Sequence, residues 1–276
     1  MNNYHDHIIK TIKTRKNTYD IILIEKQEKI NIFLDYLENF YTKNKLHKNT
    51  FVSIDYEYHN HINRLWQVCF YNKNKNYNNA IFVIDSDFIN KSDMNIIIEQ
   101  LYISYIYKIF HGGESLDFPY VFSLIKNPEK ISKFLSKSID TRFLCEYYKI
   151  ILNNNNKKCS IYDAMLYFGA LKQSKFDELE DMNKKIGPIW KVSWNLDKIS
   201  ENLLTYTIYD VILLKKLLIK IYKKYKEKNM LEEFNNIQKV NKYVLIKRNN
   251  IDYNYKLNIK NPEKYKIIDY FKNILD

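Results

Sequence analysis

Glycine and proline are scarce, four of each in 276 residues. The chain has no P-loop and no Gly-x-Gly-x-x-Gly fingerprint, so it lacks the usual glycine cradle for nucleotide phosphates. There is no Gly/Ser-rich linker and no internal repeat. Cysteine is rare as well. Cys69, Cys145 and Cys159 are far apart, odd in number and outside any Cys-x-x-Cys pair. This fits reduced thiols in a reducing compartment better than a disulfide framework. No apolar run is long enough to span a bilayer, and no apolar stretch near the N-terminus resembles a secretion signal. The expectation is an intracellular protein, cytoplasmic or nuclear, with no membrane partner. The Asn90-x-Ser92 sequon has no meaning without secretion.

What is present suffices for a full core, since 46% of residues are hydrophobic. The formal net charge is +12 and the isoelectric point about 9.2. A basic balance favours polyanions, nucleic acid first. The abundant Lys, Asn, Ile and Tyr share AT-rich codons, however, so the charge permits that partner without diagnosing it. The same caution covers the 25 tyrosines, which can stack on bases or fill cores.

Along the chain, residues 1–18 are polar, basic and expected to be mobile. Residues 19–25 read as a strand. Ile30, Phe33, Tyr36, Leu37 and Phe40 repeat at helical spacing over about 27–42. Three strands follow at 51–58, 65–71 and 80–84, joined by short connectors as hairpins require. A helix over 94–107 and a short strand at 108–110 lead into His111-Gly112-Gly113, and another helix runs over about 117–125. The region 127–200 is mainly helical by pattern. Within it Asn153–Asn156 form a low-complexity loop, Ser160 caps a helix to about 171, and 172–195 read as a loop with Trp190 and Trp194. One long helix covers about 200–226. Residues 227–276 form a basic extension without an assigned place. Antiparallel strands followed by alternating helices and strands indicate a mixed α/β sheet flanked by helices.

The candidate chemistry begins at Phe51-Val52-Ser53-Ile54-Asp55-Tyr56-Glu57-Tyr58. Alternate residues of a strand share a face, so Asp55 and Glu57 point the same way. Paired carboxylates repel, and a hard divalent cation would relieve them; a solvated strand end is the plain alternative. A second acid, Asp117, precedes Pro119 at a helix start, where an Asp also serves as a cap. A third lies in Leu203-Leu204-Thr205-Tyr206-Thr207-Ile208-Tyr209-Asp210. Tyr206 and Asp210, four apart, meet on one helix face at the edge of the apolar stripe. A solvated Asp and a core-edge Tyr would give the same pattern.

Taken in this order, Asp55-x-Glu57, Asp117 after Lys108-Ile109-Phe110-His111-Gly112, and Tyr206-x-x-x-Asp210 resemble the motifs of the DEDD superfamily of 3′–5′ exonucleases. Tyr206 marks the tyrosine subtype, DEDDy. The surroundings, over about residues 19–225, are most similar to ribonuclease D-like proteins. The stretch Asp117-Phe118-Pro119-Tyr120 is also similar to the second motif of B-family proofreading domains. The spacing from His111 to Asp117 is one residue longer than in ribonuclease D-like motifs, which leaves Glu114 as the alternative acid. Asp140-Thr141-Arg142 resembles a family element in which Asp140 is structural.

The resemblance implies a ribonuclease H-like α/β fold with an exonuclease domain over 19–226. It implies two Mg²⁺ or Mn²⁺ ions held by Asp55, Glu57, Asp117 and Asp210, about 3.5–4 Å apart. Tyr206, with an ordinary pKa near 10, would orient the attacking water rather than act as a base. The substrate would be the 3′ end of DNA or RNA, with 5′-mononucleotides released. The rival is a catalytically silent nucleic-acid-binding or scaffold protein on the same fold. An endonuclease is a third possibility. His5-x-His7 and His59-x-His61 lack a second ligand pair at zinc spacing and read as polar loops. For the Trp190–Trp194 loop, core anchoring is preferred over substrate contact.

Overall fold

The computed structural model describes residues 4–14, 16–47, 49–72, 78–154 and 159–257. Part of the asparagine run (155–156) and residues 258–276 of the C-terminal extension lie outside them. Among the described residues seven strands are formed: β1 (Ile8–Lys13), β2 (Thr18–Ile24), β3 (Phe51–His59), β4 (Ile62–Phe70), β5 (Asn79–Asp85), β6 (Tyr107–Phe110) and β7 (Ser138–Asp140). The helices are α1 (Ile30–Asn44), α2 (Lys91–Ile97), α3 (Asp117–Ile125), α4 (Pro128–Ser136), α5 (Thr141–Ile151), α6 (Ile161–Tyr167), α7 (Gln173–Ile186), α8 (Glu201–Ile212), α9 (Leu214–Glu227) and α10 (Leu231–Arg248).

The sheet order is β1-β2-β5-β4-β3-β6-β7. β3, β4 and β5 pair antiparallel, while β2–β5 and β3–β6 pair parallel, so the sheet is mixed as the pattern indicated. Strands buried on both faces need apolar or β-branched residues throughout. β5 meets this with Ala80-Ile81-Phe82-Val83-Ile84, all fully buried.

The described residues divide into two compact units, one within Met1–Ile109 and Asp177–Ile212, the other within Phe110–Phe176 and Leu213–Asp276. In the first, Phe33, Tyr36 and Phe40 of α1 pack their rings against Phe70 and Phe82 of the sheet. α8 packs against β3, β4 and β5. In the second, Phe110, Phe118 and Phe134 form one ring cluster, and α5, α9 and α10 pack on one another. Tyr225 Oη of α9 donates to the Leu144 carbonyl of α5 at 2.7 Å.

Several expectations need correction. Residues 8–13, expected to be mobile, form the edge strand β1, whose residues alternate between half-buried and exposed. The segment read as a loop from 172 contains α7, a polar helix burying only Leu179 and Met182. The long helix expected over 200–226 is two, interrupted at Leu213. The helix expected over 94–107 ends in a π-turn at Ile98–Tyr102. The unassigned extension contains α10, which buries Phe234, Ile237, Val240, Val244 and Leu245.

The cysteines are the clearest departure. Cys145 of α5 and Cys159 are joined in a disulfide, with 6.2 Å between their Cα atoms, and Cys69 is buried and outside the disulfide. The chain turns back after α5, with Asn153 in the left-handed region at φ +51°. That return places two cysteines 14 residues apart side by side, which spacing alone does not disclose. No helix among the described residues is long and apolar enough to cross a membrane. Protein purified without reductant and then denatured is expected to titrate one thiol, rising to three after reduction. Closing a loop of this length should contribute about 3 kcal/mol to stability, lost on reduction and measurable by denaturant unfolding.

Candidate metal centre

β3 carries the first two acids, and its hairpin with β4 fixes their register. Ser53 pairs with Cys69, Asp55 with Gln67 and Glu57 with Leu65. Asp55, Glu57 and Gln67 therefore share a sheet face. Gln67 Nε2 donates to Glu57 Oε1 at 3.3 Å, orienting that carboxylate. The opposite face is closed by Tyr56, whose hydroxyl lies 2.7 Å from that of Tyr102, and by the buried Trp66.

The third acid arrives on α8. Tyr71 Oη donates to the Val211 carbonyl at 2.9 Å, and Ser53 Oγ lies 2.7 Å from the same Oη. A carbonyl can only accept, so the tyrosine proton is spent there and Ser53 donates to Tyr71. This relay ties α8 to β3 one residue from Asp210. The result is a group of three carboxylates, Asp55, Glu57 and Asp210, with one oxygen from each within 4.8 Å of the others. Glu57 and Asp210 are buried and Asp55 half-buried.

Burial pushes the Asp55 carboxyl up to about 7, against the lowering effect of a hydrogen bond from the Tyr56 backbone. The donor set is all hard oxygen, which suits Mg²⁺ or Mn²⁺. Octahedral ligands at about 2.1 Å lie about 3 Å apart when adjacent and about 4.2 Å apart when opposite, so the group would contract around an ion. The residues present fit a divalent cation.

Tyr206 lies one turn before Asp210 on α8, half-buried, its ring stacked at 6.4 Å on that of Trp194. Trp194 is buried, in keeping with core anchoring, but Trp190 is 71% exposed. His59 bonds through Nδ1 to the Val192 carbonyl at 3.0 Å, a structural use for a residue of His59-x-His61.

Asp117 belongs to the second unit and is not one of the three grouped acids. It is buried at the first residue of α3, and it does not cap that helix, since Leu116 occupies the cap position. Its carboxylate lies against Gly113, where an added Cβ would sit 3.2 Å from Asp117 Oδ2. Glu114, the alternative acid, is bound by Arg142 at 2.9 Å, and Arg142 also holds Glu146 at 2.8 Å. Asp140 accepts from the backbone N–H groups of Gly112, Gly113 and Arg142, so it shapes the turn before α3. His111 is bonded to Thr141 Oγ1 and the Cys159 carbonyl, and burial lowers its pKa to about 4.

The sequence reading missed Gln67 and the Ser53–Tyr71–Val211 relay. Counting back from the β3–β4 turn would have paired Asp55 with Trp66, because the register shifts by one residue between Glu57 and Tyr58. The relay bridges sites 140 residues apart and has no local signal.

The protein thus has a ribonuclease H-like α/β fold carrying a group of three acidic residues. The catalytic core of RRP6 from Trypanosoma brucei has this fold, with a TM-score of 0.52 and 15% identity over 93% of this chain and 58% of that one. A mutant of the same core gives 0.53 at 14% identity, covering 95% and 61%. Uncharacterized protein L533 of Acanthamoeba polyphaga mimivirus is 29% identical over 208 residues, 71% of this chain and 41% of its own length. The chain thus spans about three fifths of the RRP6 core and two fifths of the viral relative. No protein-family model matches the chain.

The acidic group leads to the expectation that stability depends on pH and metal together. Between about pH 4 and 7 folded Asp55 retains a proton that an unfolded carboxyl has released, so the metal-free fold loses stability as pH rises through that window. His111, kept neutral in the fold, acts oppositely below its ordinary value of 6.5, so wild type must be compared with a variant. Millimolar Mn²⁺ is expected to raise Tm little at about pH 5.5 and substantially at about pH 8. Asp55→Asn should raise the metal-free Tm at the higher pH and remove most of the Mn²⁺ response. Equal metal responses at both pH values would contradict this account.

Proposed function

We propose that this chain is a metal-dependent 3′–5′ exonuclease of the DEDD superfamily, tyrosine subtype, acting on DNA or RNA. One observation carries the reading: Asp55 and Glu57, neighbours on β3, meet Asp210 from far along the chain on a ribonuclease H-like sheet. Residues 19–226 are the proposed nuclease domain, and Asp117 is the proposed fourth acid. The commitment of Glu114 to Arg142 supports Asp117 over Glu114.

In this reading Asp55, Glu57, Asp117 and Asp210 hold two Mg²⁺ or Mn²⁺ ions. When bound, the ions supply Lewis acidity and neutralise charge at the terminal phosphodiester. Gln67 keeps the Glu57 carboxylate in its ligating orientation. Tyr206 presents its hydroxyl beside Asp210 and orients the attacking water; at neutral pH an ordinary tyrosine keeps its proton and can donate. The ring of Trp194 fixes that hydroxyl's direction. Water adds to phosphorus, the bond to the 3′-oxygen breaks, and a 5′-mononucleotide leaves.

A single strand labelled at its 3′ end should lose label as mononucleotide in Mn²⁺, while a closed circle stays intact. Asp55→Asn and Asp210→Asn should each lower the rate by at least about a thousandfold. Tyr206→Phe should lower it by about a hundredfold, in kcat more than KM. Asp117→Asn should match the first two variants and Glu114→Gln should not. A wild-type chain that binds Mn²⁺ and nucleic acid without cleaving would establish the silent scaffold instead.

A further inference from the structure

Three tryptophans are present, and two follow the usual rule for large apolar side chains: Trp66 is fully buried and Trp194 is 5% exposed. Trp190 is 71% exposed. It occupies a single 3₁₀ turn, Ile189–Lys191, packed on β3. The segment around it is strapped down at both ends. On one side the Val192 carbonyl takes a hydrogen bond from His59 Nδ1, so His59 carries its proton on that nitrogen. His59 lies two residues beyond Glu57 on β3. On the other side Trp194 is buried with its ring against Tyr206, one turn before Asp210. The segment therefore bridges the strand bearing Asp55 and Glu57 and the helix bearing Asp210, and it presents Trp190 to solvent.

We infer that Trp190 is a stacking platform for a nucleobase of single-stranded nucleic acid whose 3′ end lies at the Asp55–Glu57–Asp210 group. The inference rests on the nuclease reading for the position of the 3′ end. Chain geometry puts the Trp190 backbone within roughly 20 Å of Glu57, the reach of a few nucleotides. An indole held on an anchored turn loses little entropy when a base covers it, and every base offers a π-face, so such contacts tolerate sequence. Lys185, Lys191 and Lys198 of the same segment are exposed and supply cations for the phosphates of that strand. One aromatic among lysines suits a polyanion with stacking faces better than an apolar protein surface, which needs a contiguous apolar patch. In a duplex the faces of each base are covered by its neighbours, so the platform selects an unpaired 3′ segment.

The test uses the full chain in EDTA, where no turnover occurs. Exposed Trp190 emits at longer wavelength than buried Trp66 and Trp194. A single-stranded oligothymidylate or oligouridylate should quench that red-edge emission, and a blunt duplex should not. Trp190→Phe should remove the signal while retaining affinity by anisotropy. Trp190→Ala should weaken binding at least about fivefold and leave the melting temperature unchanged. Binding without quenching, with Trp190→Ala as tight as wild type, overturns the inference. So does a wild-type chain that sediments as a dimer and becomes monomeric on Trp190→Ala without any quenching, which would assign the residue to a second copy. Quenching without any metal-dependent cleavage would remove the nuclease reading and keep the platform. Cleavage without quenching would do the reverse.

Discussion

Mutual repulsion among three carboxylates is the constraint on which the site depends. Two full charges 4 Å apart repel by about 4 kcal/mol at an effective dielectric of 20. One oxygen from each of Asp55, Glu57 and Asp210 stands within 4.8 Å of the others, where the repulsion is still about 3.5 kcal/mol, and two of the three residues are buried. Nothing local would hold them there. The β3–β4 register holds two, and Gln67 orients one of those. The Ser53–Tyr71–Val211 relay brings the third by fastening α8 to the sheet. The raised pKa of Asp55 adds a separate cost, a proton retained because burial makes the charged carboxylate unfavourable. Tight geometry and an unrelieved carboxyl have one common resolution, a cation. The proposed function follows from that more than from the resemblance of any single motif.

Much of this was legible in the sequence because the signals are short-range. Asp55 and Glu57 announce a shared face through strand alternation, and Tyr206 and Asp210 through the helical repeat. Their convergence needed the tertiary fold, and only the order of the motifs suggested it. Asp117 shows the limit of local reading. An Asp before a helix with Pro119 beyond it looks like a cap, but the cap position falls to Leu116 and the carboxylate turns toward Gly113. The glycine allows an approach that a side chain at that position would crowd.

The elements that escaped the sequence reading lack strong periodicity. α7 buries two side chains, so its pattern is nearly that of a polar loop. α10 interleaves buried Asn236 and Asn241 with its apolar residues, which blurs the stripe. β1 pairs only with β2 at the edge of the sheet, so it needs no apolar run. The break at Leu213 falls inside an apolar sequence that would continue a helix as readily as stop one. The Cys145–Cys159 bond depends on how the chain returns after α5, and three cysteines at wide spacing carry no trace of it.

The net charge of +12 and the acidic group act against each other on a polyanion. Long-range attraction comes from the whole surface, within a Debye length of about 8 Å at physiological salt. At closest approach the three carboxylates would repel the phosphate that the surface had drawn in. The bare site is therefore self-excluding on the proposed reading, and the charge balance at the group must be met before a phosphodiester can settle beside it. A contact that holds the strand by its bases avoids this conflict, because stacking is indifferent to the sign of the nearby carboxylates. Trp190 lies on a segment anchored to both acid-bearing elements but outside the acidic group itself. On the proposed reading, that placement would separate the work of retaining the strand from the work of receiving its terminal phosphate.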